Sequence, residues 1–313
     1  MTANKQVKWT SSDIATQAGR RIIITGANSG IGWEAALVLA RAGAHVVLAA
    51  RTTAKGQDAV DRISRIVPAA KVQSSILDLA SLQSVREFAA REGDRPLDLL
   101  INNAGTGSPP QRELTVDGFE RVFGTNYLGP FALTGLLLPA LLRTAKPRVL
   151  TVASSAAKMG KIDFDNLQSE RSYTPMQGAY SQAKLADLIF ALEFQRRIDA
   201  TGTPLMSTAC HPGYAITNLD NTTGIGMKLL AAILRPWASQ DAAHGALPTL
   251  YAATSPDAQP GGYYGPDGPL EAKGYPVAVP IPKQALDTSV AKRLWSISEN
   301  LTGVTFGPLS GVP

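Results

Sequence analysis

Arg21-Ile22-Ile23-Ile24-Thr25-Gly26-Ala27-Asn28-Ser29-Gly30-Ile31-Gly32 is the stretch on which the fold turns. Four β-branched residues after Arg21 read as a strand, and 30–42, closed by Gly43, reads as the helix that follows. Between them lies a glycine turn of the kind that receives a dinucleotide pyrophosphate. Gly26 permits the tight turn, Gly30 and Gly32 let backbone and helix come close, and the helix N-terminus attracts the anion. Thr25, Gly26, Asn28, Ser29, Gly30, Ile31 and Gly32 are therefore candidate cofactor contacts. The spacing is Gly-x3-Gly-x-Gly, not the Gly-x-Gly-x2-Gly of the standard fingerprint. Taken alone, the segment could equally be a turn that only packs tightly.

Outward from this turn, β-rich runs alternate with helical patterns, the sign of βαβ units and a parallel sheet. The runs 45–49, 72–77, 97–102, 148–153 and 205–209 read as strands two to six. Helices are expected over about 116–142, bent near Pro139, and over about 178–200. From about 217 onward the chain is rich in Gly and Pro and reads as loops with short helices. There is no internal repeat and no linker, so 1–313 reads as one α/β domain: a doubly wound parallel sheet in three α/β/α layers.

Composition agrees. The chain has 313 residues, 44% of them hydrophobic, enough for a sizeable core and too many for disorder. The net charge of +5 is scattered among 25 acidic residues with no dense basic tract. This argues for solubility and some pull on anionic cofactors, and against nucleic acid. The single cysteine, Cys210, excludes an internal disulfide and agrees with a reducing, cytoplasmic setting. The first twenty residues carry no apolar run like a signal peptide's. The longest apolar stretch, 131–142, is interrupted by Thr134, Gly135 and Pro139 and is too short for a membrane span. Three unclustered histidines and one cysteine argue against a metal site.

Tyr180-Ser181-Gln182-Ala183-Lys184 carries the chemistry. At i and i+4 the two side chains share a helix face. A free phenol has a pKa of about 10, too high for a base at neutral pH. A fixed ammonium beside it favours the phenolate and makes proton transfer usable. After strand two, where an acid would take a ribose 2′-hydroxyl, the chain has Ala49-Ala50-Arg51. Arg51, with Thr52, Thr53 and Lys55 in reach, suits a 2′-phosphate, so NADP(H) is favoured over NAD(H). A solvated loop arginine is the plain alternative.

In order along the chain stand Thr25 to Gly32, Asp78, Asn102-Asn103-Ala104-Gly105, Asn126, Ser155, Tyr180-x3-Lys184 and His211-Pro212-Gly213 followed by Thr217. This set resembles the short-chain dehydrogenase/reductase family, over about two thirds of the chain. Each motif alone is weak, but the ordered set is specific. The extended epimerase-like branch would show Gly-x2-Gly-x2-Gly at the first turn, which is absent.

The resemblance implies a Rossmann-type fold and a set of roles. Tyr180 is the general acid and base, and Lys184 lowers its pKa and holds the nicotinamide ribose. Ser155, preferred to Ser154, bonds the substrate oxygen. Asn126 holds a water that links Lys184 to solvent. Asp78 and Leu79 face the adenine. Asn103, Ala104 and Gly105 line the adenosine side, while Pro212, Gly213 and Thr217 meet the nicotinamide amide and phosphate. Cys210 reads as packing at a strand end, since no activating partner stands beside it.

Three departures from a minimal family member resemble the retinol dehydrogenase-like branch. These are an N-terminal extension, 1–20, an insertion within 156–179, and a C-terminal extension, 261–313. Residues 218–240, with Met227, Leu229, Leu230, Ile233, Leu234 and Trp237 at near-helical spacing, stand where the family places a substrate lid. They are either ordinary packing, a cover for an apolar substrate or a shallow contact with lipid. The expected activity is NADP-dependent interconversion of an alcohol and a carbonyl of an apolar substrate. The competing reading is a catalytically silent NADP-binding regulatory or scaffold protein, against which the full set Asn126, Ser155, Tyr180 and Lys184 speaks. A homo-oligomer built on the two long helices is expected, unless the terminal extensions cover those faces.

Overall fold

β1 (Arg21–Thr25) is buried at every position, as a parallel strand covered by helices on both faces must be. In this computed structural model, which describes residues 8–213 and 241–309, β1 sits inside an eight-stranded sheet. Its order is β3-β2-β1-β4-β5-β6-β7-β8, with β2 His45–Ala50, β3 Lys71–Ile76, β4 Leu99–Asn102, β5 Arg148–Val152 and β6 Met206–Cys210. β7 (Tyr263–Pro266) continues parallel beside β6, and β8 (Pro276–Ala278) closes the edge antiparallel. The chain winds outward from β1 to β3, then returns to the other side of β1 at β4. That reversal opens a crevice at the carboxyl ends of β1 and β4, where such sheets bind ligands.

Successive β1 residues face opposite layers. Ile23 joins a core with Val85, Phe88, Phe131, Phe190 and Phe194, which come from α3 (Leu82–Glu92), α4 (Gly129–Leu141) and α5 (Ser181–Thr201). Ile22 and Ile24 face α1 (Gly30–Arg41), α2 (Thr53–Ile66) and α6 (Leu247–Thr254) through Ala35, Leu39, Ile63 and Leu250. The fold is the expected Rossmann-type three-layer α/β/α arrangement.

Three expectations are corrected. The helix expected over 116–142 begins at Arg121: Gly118 lies at φ +83°, Leu114 bridges to Glu120, and the Glu120 carboxylate caps the new start through Val122 and Phe123 N–H. Its irregularity is a π turn at Gly124–Leu128, and α4 runs through Pro139. A second π turn, Pro175–Tyr180, precedes α5. The stretch expected as loops contains β7, β8 and the 15-residue α7 (Thr288–Thr302). Asp287 caps α7 at one end and Gly303, at φ +62°, ends it.

α7 buries Ala291, Leu294, Trp295 and Ser298. The Trp295 ring lies 5.2 Å from Phe131 and 5.8 Å from Phe190, and Phe306 follows at 4.9 Å from Phe131 and 5.4 Å from Phe194. The C-terminal extension thus covers the α4–α5 pair with the chain's own aromatics. The N-terminal extension packs elsewhere, Trp9 edge-on to Tyr251 of α6 at 5.3 Å.

Candidate active site

The glycine turn is locked to β4 by backbone contacts. The Thr25 hydroxyl accepts from the N–H groups of Asn103 and Ala104 at 3.0 and 2.9 Å, and Asn103 Nδ2 donates to the Thr25 carbonyl at 2.9 Å. Gly26, at φ +66°, lies so close to Ala104 that a β-carbon would meet its Cα at 2.9 Å. A β-carbon on Gly32 would stand 2.4 Å from Asn103 Nδ2 and 2.7 Å from the Gly26 carbonyl. Gly30 opens α1 at φ +56°, with Ser29 extended before it. Asn28 offers its carbonyl to Arg62 at 2.6 Å, and Ile31 is buried in the α1 layer. The result is a helix N-terminus facing the crevice with close-packed backbone around it, a cradle that fits a pyrophosphate. Arg51 is exposed at the end of β2, followed by Thr52, whose hydroxyl caps α2. Asp78 uses its carboxylate on the Ala80 N–H at 3.0 Å, and Leu79 is buried against Gly129.

Tyr180 ends its π turn half-buried, and Lys184 follows one helical turn later, buried. Lys184 Nζ donates to the Val152 carbonyl at 2.9 Å and to Asp187 Oδ2 at 2.8 Å. Burial opposes its charge, but Asp187, and behind it Tyr180, hold its pKa above the usual lysine value. Asn126 sits in the other π turn, a distortion common at functional sites. Its amide clamps residue 106 from both sides, accepting from the Thr106 N–H at 2.7 Å and donating to the Thr106 carbonyl at 3.0 Å. A β-carbon on Gly105 would stand 3.7 Å from both Asn126 Oδ1 and Lys184 Nζ, so Asn126, Gly105 and Lys184 meet at the ends of β4 and β5.

The two serines after β5 divide their work. Ser154 accepts the Ala156 N–H at 3.2 Å and caps the following turn, whereas Ser155 is exposed. Cys210 is fully buried, its thiol pushed up to about 12 by burial, so it has no thiolate character near neutral pH. Pro212 and Gly213 leave β6 beside a network that no local motif announces. The fully buried His211 meets Glu271 Oε2 at 2.8 Å through Nε2, and its Nδ1 accepts from the Gly213 N–H at 3.2 Å. Glu271 Oε1 takes Lys158 at 2.7 Å. Leu270 and Glu271 both hold positive φ, at +54° and +55°, a strained backbone for side-chain-bearing residues. Glu271 therefore ties the exit of β6 to the loop carrying Ser155. Asp187 and Glu271 are the two charged groups that sequence reasoning missed. Asp187 at i+3 from Lys184 was visible in the helical spacing, while Glu271 lies 60 residues from its partner His211. Thr217 and the lid candidates Met227, Leu229, Leu230, Ile233, Leu234 and Trp237 fall outside the described residues. Among the described residues, no group of three or more His, Cys, Asp or Glu gathers to hold a metal, and no helix is long and apolar enough to cross a membrane.

The sequence pattern of the short chain dehydrogenase family matches residues 20–225. The chain belongs to that family. It is similar to polyprenol dehydrogenase of Mus musculus, 39% identical over 303 residues that cover 95% of this chain and 88% of that one. Retinol dehydrogenase 13 of Homo sapiens is 39% identical, with 93% and 86% covered, and human retinol dehydrogenase 14 is 37% identical, with 91% and 87% covered. A crystal structure of an uncharacterised protein from Mycobacterium Paratuberculosis superposes with a TM-score of 0.80 at 40% identity, covering 96% of this chain and 99% of that one. A structure described as an NAD(P)-dependent gluconate 5-dehydrogenase from Beutenbergia cavernae, with bound NADP, gives 0.61 at 26% identity, covering 78% and 92%. This short-chain dehydrogenase is retinol dehydrogenase-like: an NAD(P)-dependent oxidoreductase acting on alcohols or carbonyls.

Proposed function

We propose that the chain uses NADP(H) to interconvert an alcohol and a carbonyl of an apolar substrate, with Tyr180 as the general acid and base. The observation that carries this reading is the buried Lys184 ammonium, one helical turn from Tyr180 and held against Gly105 and Asn126. Gly26, Gly30, Gly32, Asn28, Ser29, Asn103 and Ala104 would hold the pyrophosphate and adenosine side, Asp78 and Leu79 the adenine, and Pro212, Gly213 and Thr217 the nicotinamide side. Arg51 would pair with a 2′-phosphate. When bound, NADP(H) supplies or takes the hydride. Tyr180 passes a proton to the carbonyl oxygen in reduction and receives it in oxidation. Lys184 keeps the phenolate accessible. Ser155, exposed, and with its hydroxyl not used among the described residues on the backbone as Ser154's is, bonds the reacting oxygen.

The names of the polyprenol and retinol relatives favour an apolar alcohol or its carbonyl as substrate. A cytoplasmic setting accords with Cys210 as a free, buried thiol. Self-association through the two long helices is disfavoured by α5 being buried at every residue from Ser181 to Ala191 and by α7 covering its partner α4. The test is Tyr180→Phe, which keeps the ring and removes the transferable proton. Turnover should fall by about 10²–10⁴ with NADPH affinity retained, as read by aldehyde-dependent NADPH consumption and a fluorescence titration. Full activity in that variant eliminates the mechanism.

A further inference from the structure

Asp187 is a buried charge that the chemistry above leaves unused. It lies three residues beyond Lys184 on α5, on the same helix face, and is closed off from solvent as Lys184 is. A carboxylate in a core is costly unless paired, and the Lys184 ammonium at 2.8 Å is its partner. Among the described residues, other elements bring only neutral groups to this pair. β5 supplies the Val152 carbonyl, and β6 supplies the Cys210 thiol, uncharged near neutral pH. The π turn at 124–128 supplies Tyr127, whose phenol burial holds above its ordinary range while it bonds Ser298 of α7 at 2.7 Å. Tyr180 faces Lys184 from the start of α5. Near neutral pH, Asp187 is therefore the negative charge set against this ammonium among the described residues.

We propose that Asp187 is a positioning residue for proton transfer: its carboxylate anchors the Lys184 ammonium and offsets part of the positive charge that Lys184 presents to the Tyr180 phenol. This rests on the reading of Tyr180 and Lys184 given above. Physically, a cation stabilises the phenolate, and an anion beside that cation takes part of the effect away. Burial pushes the Asp187 carboxyl up to about 6, against the pull of Lys184. Once acidification protonates that carboxyl, the offset is lost and the ammonium acts on Tyr180 at full strength.

The experiment is an ultraviolet tyrosinate titration of the full chain, with and without saturating NADP+. Subtracting the curve of the Tyr180→Phe protein leaves the signal of Tyr180. In Asp187→Asn the Tyr180 midpoint should fall by about one pH unit, equivalent to about tenfold more phenolate near neutral pH. Circular dichroism should match the wild type. An unchanged or raised midpoint in a folded Asp187→Asn protein overturns the proposal. Should that variant not fold, Asp187→Ser is titrated in its place. Failure of both to fold also overturns it, because the role proposed is electrostatic and not one of supporting the fold. Failure of the underlying reading looks different: full turnover by Tyr180→Phe removes the phenol from the chemistry wherever the Asp187→Asn midpoint falls.

Discussion

The two halves of the sheet hold their carboxyl ends in different ways. At β1 and β4 the geometry is set by contacts between backbone and short side chains: the Thr25 hydroxyl beneath two N–H groups, Gly26 against Ala104, and Gly32 against Asn103. At β5 and β6 it depends on groups brought from far along the chain. Glu271 links His211 to Lys158, Gln284 donates to the Lys158 carbonyl at 2.8 Å, and Trp295 and Phe306 close over Phe131 and Phe190. The first half is specified by close backbone approach at glycines and short side chains, even though the two turns that meet there, at Thr25 and Asn103, lie 78 residues apart in sequence. The second is specified by packing that exists only once the whole chain has folded. A fault in the first should disturb ligand binding and spare the fold, and a fault in the second should do the reverse.

The largest expected effect tests the second half. Trp295 is buried, stacks with Phe190 and Phe194, meets Phe131 edge-on and Phe306 at a tilt, and carries the Arg197 guanidinium 4.3 Å above its ring. Trp295→Ala should cost about 3–5 kcal/mol of unfolding free energy, read by chemical denaturation, while the folded fraction binds NADPH almost as before. A loss below about 1 kcal/mol would mean that α7 is an appendage and not part of the core.

Gly32→Ala probes the first half. Alanine in a helix gains about 1 kcal/mol in propensity over glycine, which offsets part of the clash with Asn103 Nδ2 and the Gly26 carbonyl. Global stability should change little. The displaced turn should weaken NADPH binding by tenfold or more, about 1.4 kcal/mol, in a fluorescence titration. Collapse of the fold with unchanged affinity in the remaining native protein would break the contrast between the halves.

The same contrast governs what could be read in the sequence. Strands β1 to β6 were legible to within one or two residues, because β-branched runs bounded by turn residues leave few alternatives. The cradle was legible because glycine at a strand-to-helix turn has a direct steric cause. The helix expected from 116 failed at Asp117-Gly118, a turn signal inside an apolar pattern. β7 was missed because Tyr263-Tyr264-Gly265-Pro266 is a strand only through partners that the fold brings beside it, two residues of β6 and three of β8. α7 was missed although Asp287 and Gly303 mark both its ends. Of the site, Tyr180 and Lys184 stand one helical turn apart as their spacing requires, and Asn126 stands with Lys184 beside Gly105, a neighbourhood that the family resemblance and not the spacing implied. The i+3 place of Asp187 beside Lys184 was open to reading, but its burial, and the pairing of Glu271 with a partner 60 residues away, emerged only with the fold, since neither is a local property.

The smallest expected effect sharpens the first half at its exposed edge. Arg51 follows Ala49-Ala50, with no acid to repel a 2′-phosphate, and stands in solvent beside the Thr52 cap of α2. A guanidinium–phosphate pair in water is modest in strength and screened by salt, so NADPH should bind about tenfold tighter than NADH, or about 1.4 kcal/mol, at low ionic strength. The margin should narrow as salt rises. Arg51→Asp replaces attraction with repulsion toward the phosphate and supplies an acceptor for a ribose 2′-hydroxyl, so it should reverse the preference without moving the melting temperature. Paired titrations of NADPH and NADH at two salt concentrations decide the matter. Equal affinities in the wild type would return Arg51 to the solvated loop. A preference that ignores salt would place the discrimination in packing around the adenosine ribose instead of in charge.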